Sequence, residues 1–161
     1  MIRALVFDFG RVFVFPKDEA YFGGLNDLHR VLSESPKYNF RDNFEFNQEL
    51  LDFILEKQMN LRFGLYLFTK GILQDAPEAQ RFLDGHFKAV FNCDKLKLKK
   101  SKPNSYSQLA KNMGFKPGEL LYIDDDRGNT VAAEMAGLAT ITFRNNMQFE
   151  TEIGGYLKNL N

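Results

Sequence analysis

The sequence predicts an α/β fold, a three-layer, doubly wound parallel sheet with helices on both faces. Three observations carry this. Short apolar runs at 4–7 (ALVF), 63–68 and 119–123 (ELLYI) have the length of strands and no polar face, as strands covered on both sides do. Amphipathic helical stretches separate them. Each run then stops on polar residues, Asp8, Thr69 and Asp124-Asp125-Asp126, at the strand end where open α/β sheets bind ligands. The crossovers are expected to be right-handed.

Taken in order, residues 2–15 (IRALVFDFGRVFVF) contain the first strand, which ends at Asp8 with Gly10 two residues on. A carboxylate there is costly unless it caps a turn or something nearby wants negative charge. Residues 16–46 are the least regular part. Gly23-Gly24 breaks the chain, Leu25, Leu28, Val31 and Leu32 give one short helical stripe stopped by Ser35-Pro36, and Tyr38, Phe40, Phe44 and Phe46 follow without clear period. The stretch reads as a small excursion over one end of the sheet, its aromatics a local mini-core. Asn47 caps a helix with Leu50, Leu51, Ile54, Leu55 and Met59 on one face. The second strand, 63–68, runs into Thr69-Lys70-Gly71, and a helix around 78–83 precedes a strand at 88–91. Pro103 opens a helix whose stripe is Tyr106, Leu109, Ala110 and Met113 and whose C-terminal cap is Gly114. A turn at 116–119 delivers ELLYI into the aspartate run. A helix over 127–136, closed by Gly137, and the strand LATITF follow. The tail is expected to add a helix around 153–160, weakened by Gly154-Gly155.

At 161 residues the chain suits one domain, 1–161, with a sizeable core. Lys plus Arg and Asp plus Glu balance at 21 each, which argues against a dedicated nucleic-acid or membrane-surface binder. The 17 phenylalanines and absent tryptophan have no functional counterpart in the sequence. The one cysteine, Cys93, excludes an intramolecular disulfide and reads as inert. Asp8 and Arg11 inside the first apolar run argue against a signal peptide, and no run approaches the ~20 apolar residues of a membrane span. A cytoplasmic protein is expected.

The chemistry-bearing residues form a set. Asp8 and Gly10, Thr69, and Asp124 with Asp125 end strands, and Lys102 stands at the head of a helix. Separately they have bland readings: Thr69 as a turn hydroxyl, Lys102 and the rest of KLKLKKSKP as a solvated face, the aspartates as a helix cap favoured by the dipole. Together they supply carboxylates for a hard cation and a hydroxyl and an ammonium for an oxyanion. Mg²⁺ held by carboxylates and a substrate phosphate is the usual form of such a site.

These residues resemble the motifs of the haloacid dehalogenase (HAD) superfamily of phosphohydrolases, over nearly the whole chain outside 16–46. The family's first motif, DxDx[TV], reads DFGRV from Asp8 to Val12. The second, a Ser or Thr ending the next strand, falls on Thr69. The third, a Lys often followed by Pro at the start of a helix, falls on Lys102-Pro103. The fourth, an acidic pair after a buried strand, falls on Asp124-Asp125. The resemblance implies a sheet of strand order 5-4-1-2-3, with the first and fourth strands flanking the switch-point crevice. It implies Asp8 as a nucleophile forming an aspartyl-phosphate, Thr69 and Lys102 as phosphoryl ligands, and Mg²⁺ held by Asp8, the Gly10 carbonyl and Asp125, with Asp124 close by. Asn129, where many relatives carry an acid, is placed behind the ligands.

Two departures from the family matter. The second aspartate of the first motif, the general acid and base, is Gly10 here, a loss that typically costs on the order of 10²–10⁴ in rate. The usual cap domain is reduced to a short cap-like insertion at 16–46, so the site is expected to be open or thinly covered. Open members act on large substrates or borrow a lid from a partner subunit, so a homo-oligomer covering the site is one expectation. Two functions stay in view: a Mg²⁺-dependent phosphatase acting on a phosphorylated substrate whose identity the sequence does not give, and a non-catalytic or regulatory HAD-like protein that binds phosphate, metal or a protein partner with negligible turnover.

Overall fold

Ala4, Leu5, Val6 and Phe7 are all fully buried, and they form β1 (Ala4–Phe7), the central strand of a computed structural model that describes residues 1–157. Four more parallel strands flank it: β4 (Gly64–Thr69) and β5 (Ala89–Asn92) on one side, β6 (Leu120–Asp124) and β7 (Ala139–Thr142) on the other. Numbered along the whole chain the order is β5-β4-β1-β6-β7. The labels differ from the expected 5-4-1-2-3 because an unexpected two-stranded antiparallel sheet contributes β2 (Val14–Pro16) and β3 (Phe44–Phe46). Counted over the large sheet alone from its β7 edge, the strands run fifth, fourth, first, second, third along the chain.

Alternation along β1 divides the core between two faces. Leu5 and Phe7 join Leu65, Leu67, Leu121, Ile123 and Ile141 on the face covered by α3 (Gln48–Asn60), α4 (Pro77–Leu83) and α7 (Asn146–Leu157). Ala4 and Val6 join Phe68, Leu120 and Tyr122 on the face covered by α5 (Pro103–Met113) and α6 (Arg127–Met135). The helix signals act where the sequence places them. The Asn47 side chain accepts from Leu50 N–H at 3.2 Å, Pro103 is the first residue of α5, and Gly114 takes the left-handed φ of 75° that ends it.

The tail differs from expectation. Helix α7 starts at Asn146, where Asn145 Oδ1 accepts from Gln148 N–H at 2.9 Å, and it continues through Gly154-Gly155 to Leu157. Phe149, Ile153 and Leu157 recur every four residues and are buried, and that packing outweighs the poor helix propensity of two glycines. The expected end near Leu160 lies outside the described residues.

The excursion at 16–46 is more ordered than its sequence suggests. It holds α1 (Leu25–Leu32), α2 (Phe40–Asn43, capped by Asn39) and β3, which returns antiparallel to β2 at its start, Val14 pairing Phe46 and Pro16 pairing Phe44. Phenylalanines fasten it to the sheet. Phe7 meets Phe13 at 5.1 Å, Phe13 meets Phe82 of α4 at 6.0 Å, and Phe82 stacks on Phe46, which stacks on Phe40. The aromatic skew of the composition therefore has a packing explanation. Among the described residues, no helix is long and apolar enough to cross a membrane.

Candidate active site

Strand β1 delivers Asp8 to the carboxyl edge of the sheet. The Asp8 N–H donates to Ile123 carbonyl at 2.8 Å, which carries the β1–β6 pairing one residue further and sets Asp8 beside Asp124. Asp124, the last residue of β6, is fully buried and saturated with donors. Its Oδ1 accepts from Asp126 N–H at 2.8 Å. Its Oδ2 accepts from Lys100 Nζ at 3.1 Å and from the Tyr122 hydroxyl, and Asn129 Nδ2 lies 3.2 Å from both oxygens.

The ammonium between these carboxylates belongs to Lys100. Its Nζ is 2.6 Å from Asp8 Oδ1, it is 7% exposed, and it lies over the rings of Phe68 and Tyr122. This corrects the sequence reading, which assigned the role to Lys102. Lys102 is the exposed N-cap residue of α5, and among the described residues it pairs with neither Asp8 nor Asp124. The reason is a turn: Lys102 N–H donates to Lys99 carbonyl at 2.9 Å, and this reversal swings Lys100 inward and Lys102 outward. No local signal in KLKLKKSKP separates the two. Tyr122 was legible in principle, because residues two apart on a strand share a face and Tyr122 precedes Asp124 by two.

The other expected residues come to the same place. Thr69 ends β4, 3% exposed, with only marginal hydrogen bonds from its hydroxyl, 3.4 Å to Gln74 Oε1 and 3.5 Å to Lys70 carbonyl. The hydroxyl is thus available to an anion. Gly10 has no left-handed backbone, and a Cβ there would meet only Leu25 Cδ1 at 3.7 Å, an ordinary van der Waals contact. Asp8, Gly10, Thr69, Asp124, Asp125 and Phe22 all line a cleft of ≈ 340 Å³. A larger hollow of ≈ 790 Å³ beside Phe46 and Phe143 is faced by none of Asp8, Thr69, Lys100 or Asp125.

The electrostatics favour a divalent cation. Oxygens of Asp8, Asp124 and Asp125 lie within 4.8 Å of one another, and three carboxylates against one ammonium leave two negative charges. Asp124 is already committed to its donors, and Asp125 enters no ion pair among the described residues, so Asp8 and Asp125 are the carboxylates with capacity for a metal. Burial, and then the charges of Asp8 and Asp124, push Asp125 up to about 7. Burial, opposed by Lys100 and reinforced by Asp124, pushes Asp8 up to about 6. For Lys100, burial alone lowers the pKa, but the two carboxylates together raise it, so the ammonium stays charged.

No family model matches the sequence, and no curated protein sequence matches it. Solved structures do match the fold. A predicted HAD-like family hydrolase from Porphyromonas gingivalis superposes with a TM-score of 0.70 at 21% identity, over 99% of each chain. The fold is that of the HAD-family hydrolases. The HAD family enzyme BT-2542 from Bacteroides thetaiotaomicron, in complex with magnesium and inorganic phosphate, gives a TM-score of 0.62 at 16% identity over 89% of this chain and 95% of its own. A HAD-superfamily hydrolase of subfamily IA, GSU2069 from Geobacter sulfurreducens, gives 0.58 at 17% identity over 86% and 85%. On this HAD fold the carboxyl edge of the sheet holds Asp8, Thr69, Lys100, Asp124 and Asp125 together.

Two measurements check the geometry. Lys100→Ala leaves buried Asp124 and partly buried Asp8 without their counter-charge and is expected to cost about 3–5 kcal/mol in a urea melt. Lys102→Ala is expected to stay within about 0.5 kcal/mol of wild type. Equal effects of the two substitutions would return the role to Lys102.

The raised carboxylates give the metal-free protein a pH dependence of definite sign. A carboxylate whose pKa is higher folded than unfolded contributes stability below the unfolded value of 3.8 and loses it as pH rises through the folded value, here about 6 to 7. Each unit corresponds to about 1.4 kcal/mol, reduced at half-buried Asp125 by solvent screening. In EDTA, Tm is therefore expected to fall between pH 5 and pH 8, with Asp125 contributing about 1–2 kcal/mol of the change, about 2–8 °C for a chain of this size. Asp125→Asn flattens the profile. A wild-type Tm that rises over this interval contradicts the assignment.

Proposed function

We propose that this chain is a Mg²⁺-dependent phosphomonoester hydrolase of the HAD type, with Asp8 as nucleophile. The observation that carries the reading is the arrangement at Asp8, a carboxylate at the end of the central strand, 2.6 Å from the buried Lys100 ammonium and close to the ion-pair-free Asp125. A fold shared with BT-2542, solved with magnesium and inorganic phosphate, supports it. Residues 16–46 serve as a thin cap on a single core.

Asp8, Asp125 and the Gly10 carbonyl are the groups to hold Mg²⁺, which when bound offsets the charge of the phosphoryl group. Lys100 and the Thr69 hydroxyl bind the phosphoryl oxygens and keep that charge compensated as it redistributes. Asp124 acts through Lys100, whose position it fixes together with Tyr122 and Asn129. In the first step an Asp8 carboxylate oxygen bonds to phosphorus, and the bond from phosphorus to the leaving oxygen breaks. The leaving group takes the electron pair and is protonated by water, since position 10 offers no acid. In the second step water attacks phosphorus, inorganic phosphate departs with a proton released to solvent, and Asp8 is regenerated.

Mg²⁺ binds only the native state in this scheme, so millimolar Mg²⁺ is expected to raise Tm, and Asp125→Ala to abolish the rise. An equal response of wild type and variant moves the metal elsewhere.

The missing acid sets the kinetic signature. Aryl and acyl phosphates, whose leaving groups depart unassisted, are expected to be hydrolysed faster than alkyl phosphates, and the phosphorylated Asp8 to persist long enough for detection by mass spectrometry. Gly10→Asp, whose Cβ meets only ordinary van der Waals contact, is expected to raise the alkyl-to-aryl rate ratio by roughly 10-fold or more. An unchanged ratio with rapid alkyl turnover would show that another group supplies the proton. If no substrate class turns over and Asp8 is never phosphorylated, the protein is a non-catalytic binder.

A further inference from the structure

Phe22 is 85% exposed and lines the mouth of the Asp8 cleft. A single exposed phenylalanine needs no explanation by itself. What distinguishes Phe22 is how firmly its backbone is held. Arg11, one residue after Gly10, has a left-handed φ of 56°, a conformation that costs energy in a non-glycine residue. Its Nη2 donates to Tyr21 carbonyl at 2.9 Å and to Gly23 carbonyl at 3.0 Å, the two carbonyls on either side of Phe22. The Tyr21 hydroxyl donates to Gly24 carbonyl at 3.2 Å, and a Cβ on Gly23 would come within 2.5 Å of that hydroxyl and displace the Tyr21 ring. One turn on, Asn26 joins this corner to the loop after Thr69. It donates to Lys70 carbonyl at 3.2 Å and accepts from the N–H groups of Ile72 at 2.8 Å and Leu73 at 2.9 Å. A solvated ring gains nothing from such anchoring, but a ring that must meet a ligand at a fixed place does.

We propose that Phe22 is a specificity-determining residue that stacks on the planar, aromatic leaving group of an aryl phosphate bound at Asp8. The inference rests on the phosphohydrolase reading and names its substrate class. Two independent features select that class. The cleft of ≈ 340 Å³ has an apolar side made by Phe22, Leu25 and Leu73 next to the carboxylates and Thr69, which suits a phosphoryl group joined to one ring. Position 10 carries no acid, so the leaving group must depart as its own anion, and a phenolate does so far more readily than an alkoxide. Arg11 is the positioning residue that holds Phe22 over the ring.

The test uses Mg²⁺-loaded protein and two non-hydrolysable ligands, phenylphosphonate and methylphosphonate, which share the anion and differ in the ring. Calorimetry is expected to show phenylphosphonate bound about 3- to 10-fold more tightly, the scale of one aromatic pair. Phe22→Ala should bring that ratio close to one, and Phe22→Tyr should keep it. A ratio near one in wild type, a ratio that survives Phe22→Ala, or failure of both ligands to bind overturns the proposal. So does a change of Phe22→Ala from dimer to monomer in sedimentation, which would mark the ring as a contact between copies. Turnover of p-nitrophenyl phosphate and acetyl phosphate, measured alongside, separates the two readings. Turnover without ring preference removes Phe22 and leaves the hydrolase, and ring preference without turnover does the reverse.

Discussion

The structure of the site depends on one buried charge. Lys100 Nζ sits between Asp8 at 2.6 Å and Asp124 at 3.1 Å, with aromatic rings of Phe68 and Tyr122 for walls. Removing three such groups from water carries a desolvation cost of several kcal/mol per ion, and well-packed apolar residues could fill the same volume with equal or greater stability. The triad is therefore poor value as a stabilising device. It makes sense as a device that keeps a carboxylate oriented and ready at the end of the central strand. The surrounding donors serve this end. Tyr122, Asn129 and the Asp126 N–H saturate Asp124, so that its charge is fixed in place and Lys100 is held by it.

Two adjacent carboxylates thus have opposite fates. Asp124 still belongs to β6, and its side chain shares a face with Tyr122, so it points into the layer between the sheet and α5 and is fully buried. Asp125 lies one residue past the strand and is left partly open, with no ion pair among the described residues. Burial and two negative neighbours make it the least comfortable group in the site. The first aspartate organises the protein's own cation, and the second keeps a carboxylate that no cation among the described residues engages.

Much of this was legible in the sequence, for physical reasons that can be named. Buried strands carry continuous apolar runs, so β1, β4 and β6 and the polar residues that end them could be read directly. The long-range meeting of Asp8 with Asp124 followed only from the resemblance to a known family, because strand order is not a local property. Lys100 was missed because a turn, not a pattern of residue types, decides which lysine of the run faces inward. The β2–β3 pair was missed because its strands are three residues long, too short to show a period, and are set by aromatic packing against Phe82. The glycines at 154–155 misled because tertiary burial of Phe149, Ile153 and Leu157 overrides propensity.

The same packing bears on how the site is covered. A cap that closes over its substrate needs a hinge, and residues 16–46 show the opposite construction. Stacked rings from Phe40 through Phe46 to Phe82 bind the segment to α4, Asn26 binds it to the loop after Thr69, and Arg11 binds residues 21–23 to the end of β1. A cover fastened at three places does not exclude water by moving. On the hydrolase reading proposed above, selectivity would come from what the fixed rim presents, and a site lacking an acid at Gly10 would gain rate chiefly from substrates whose leaving groups need none. The rigid rim and the missing acid are in this sense one design. On that reading, discrimination at the mouth of the cleft would stand in for the chemistry that position 10 does not supply.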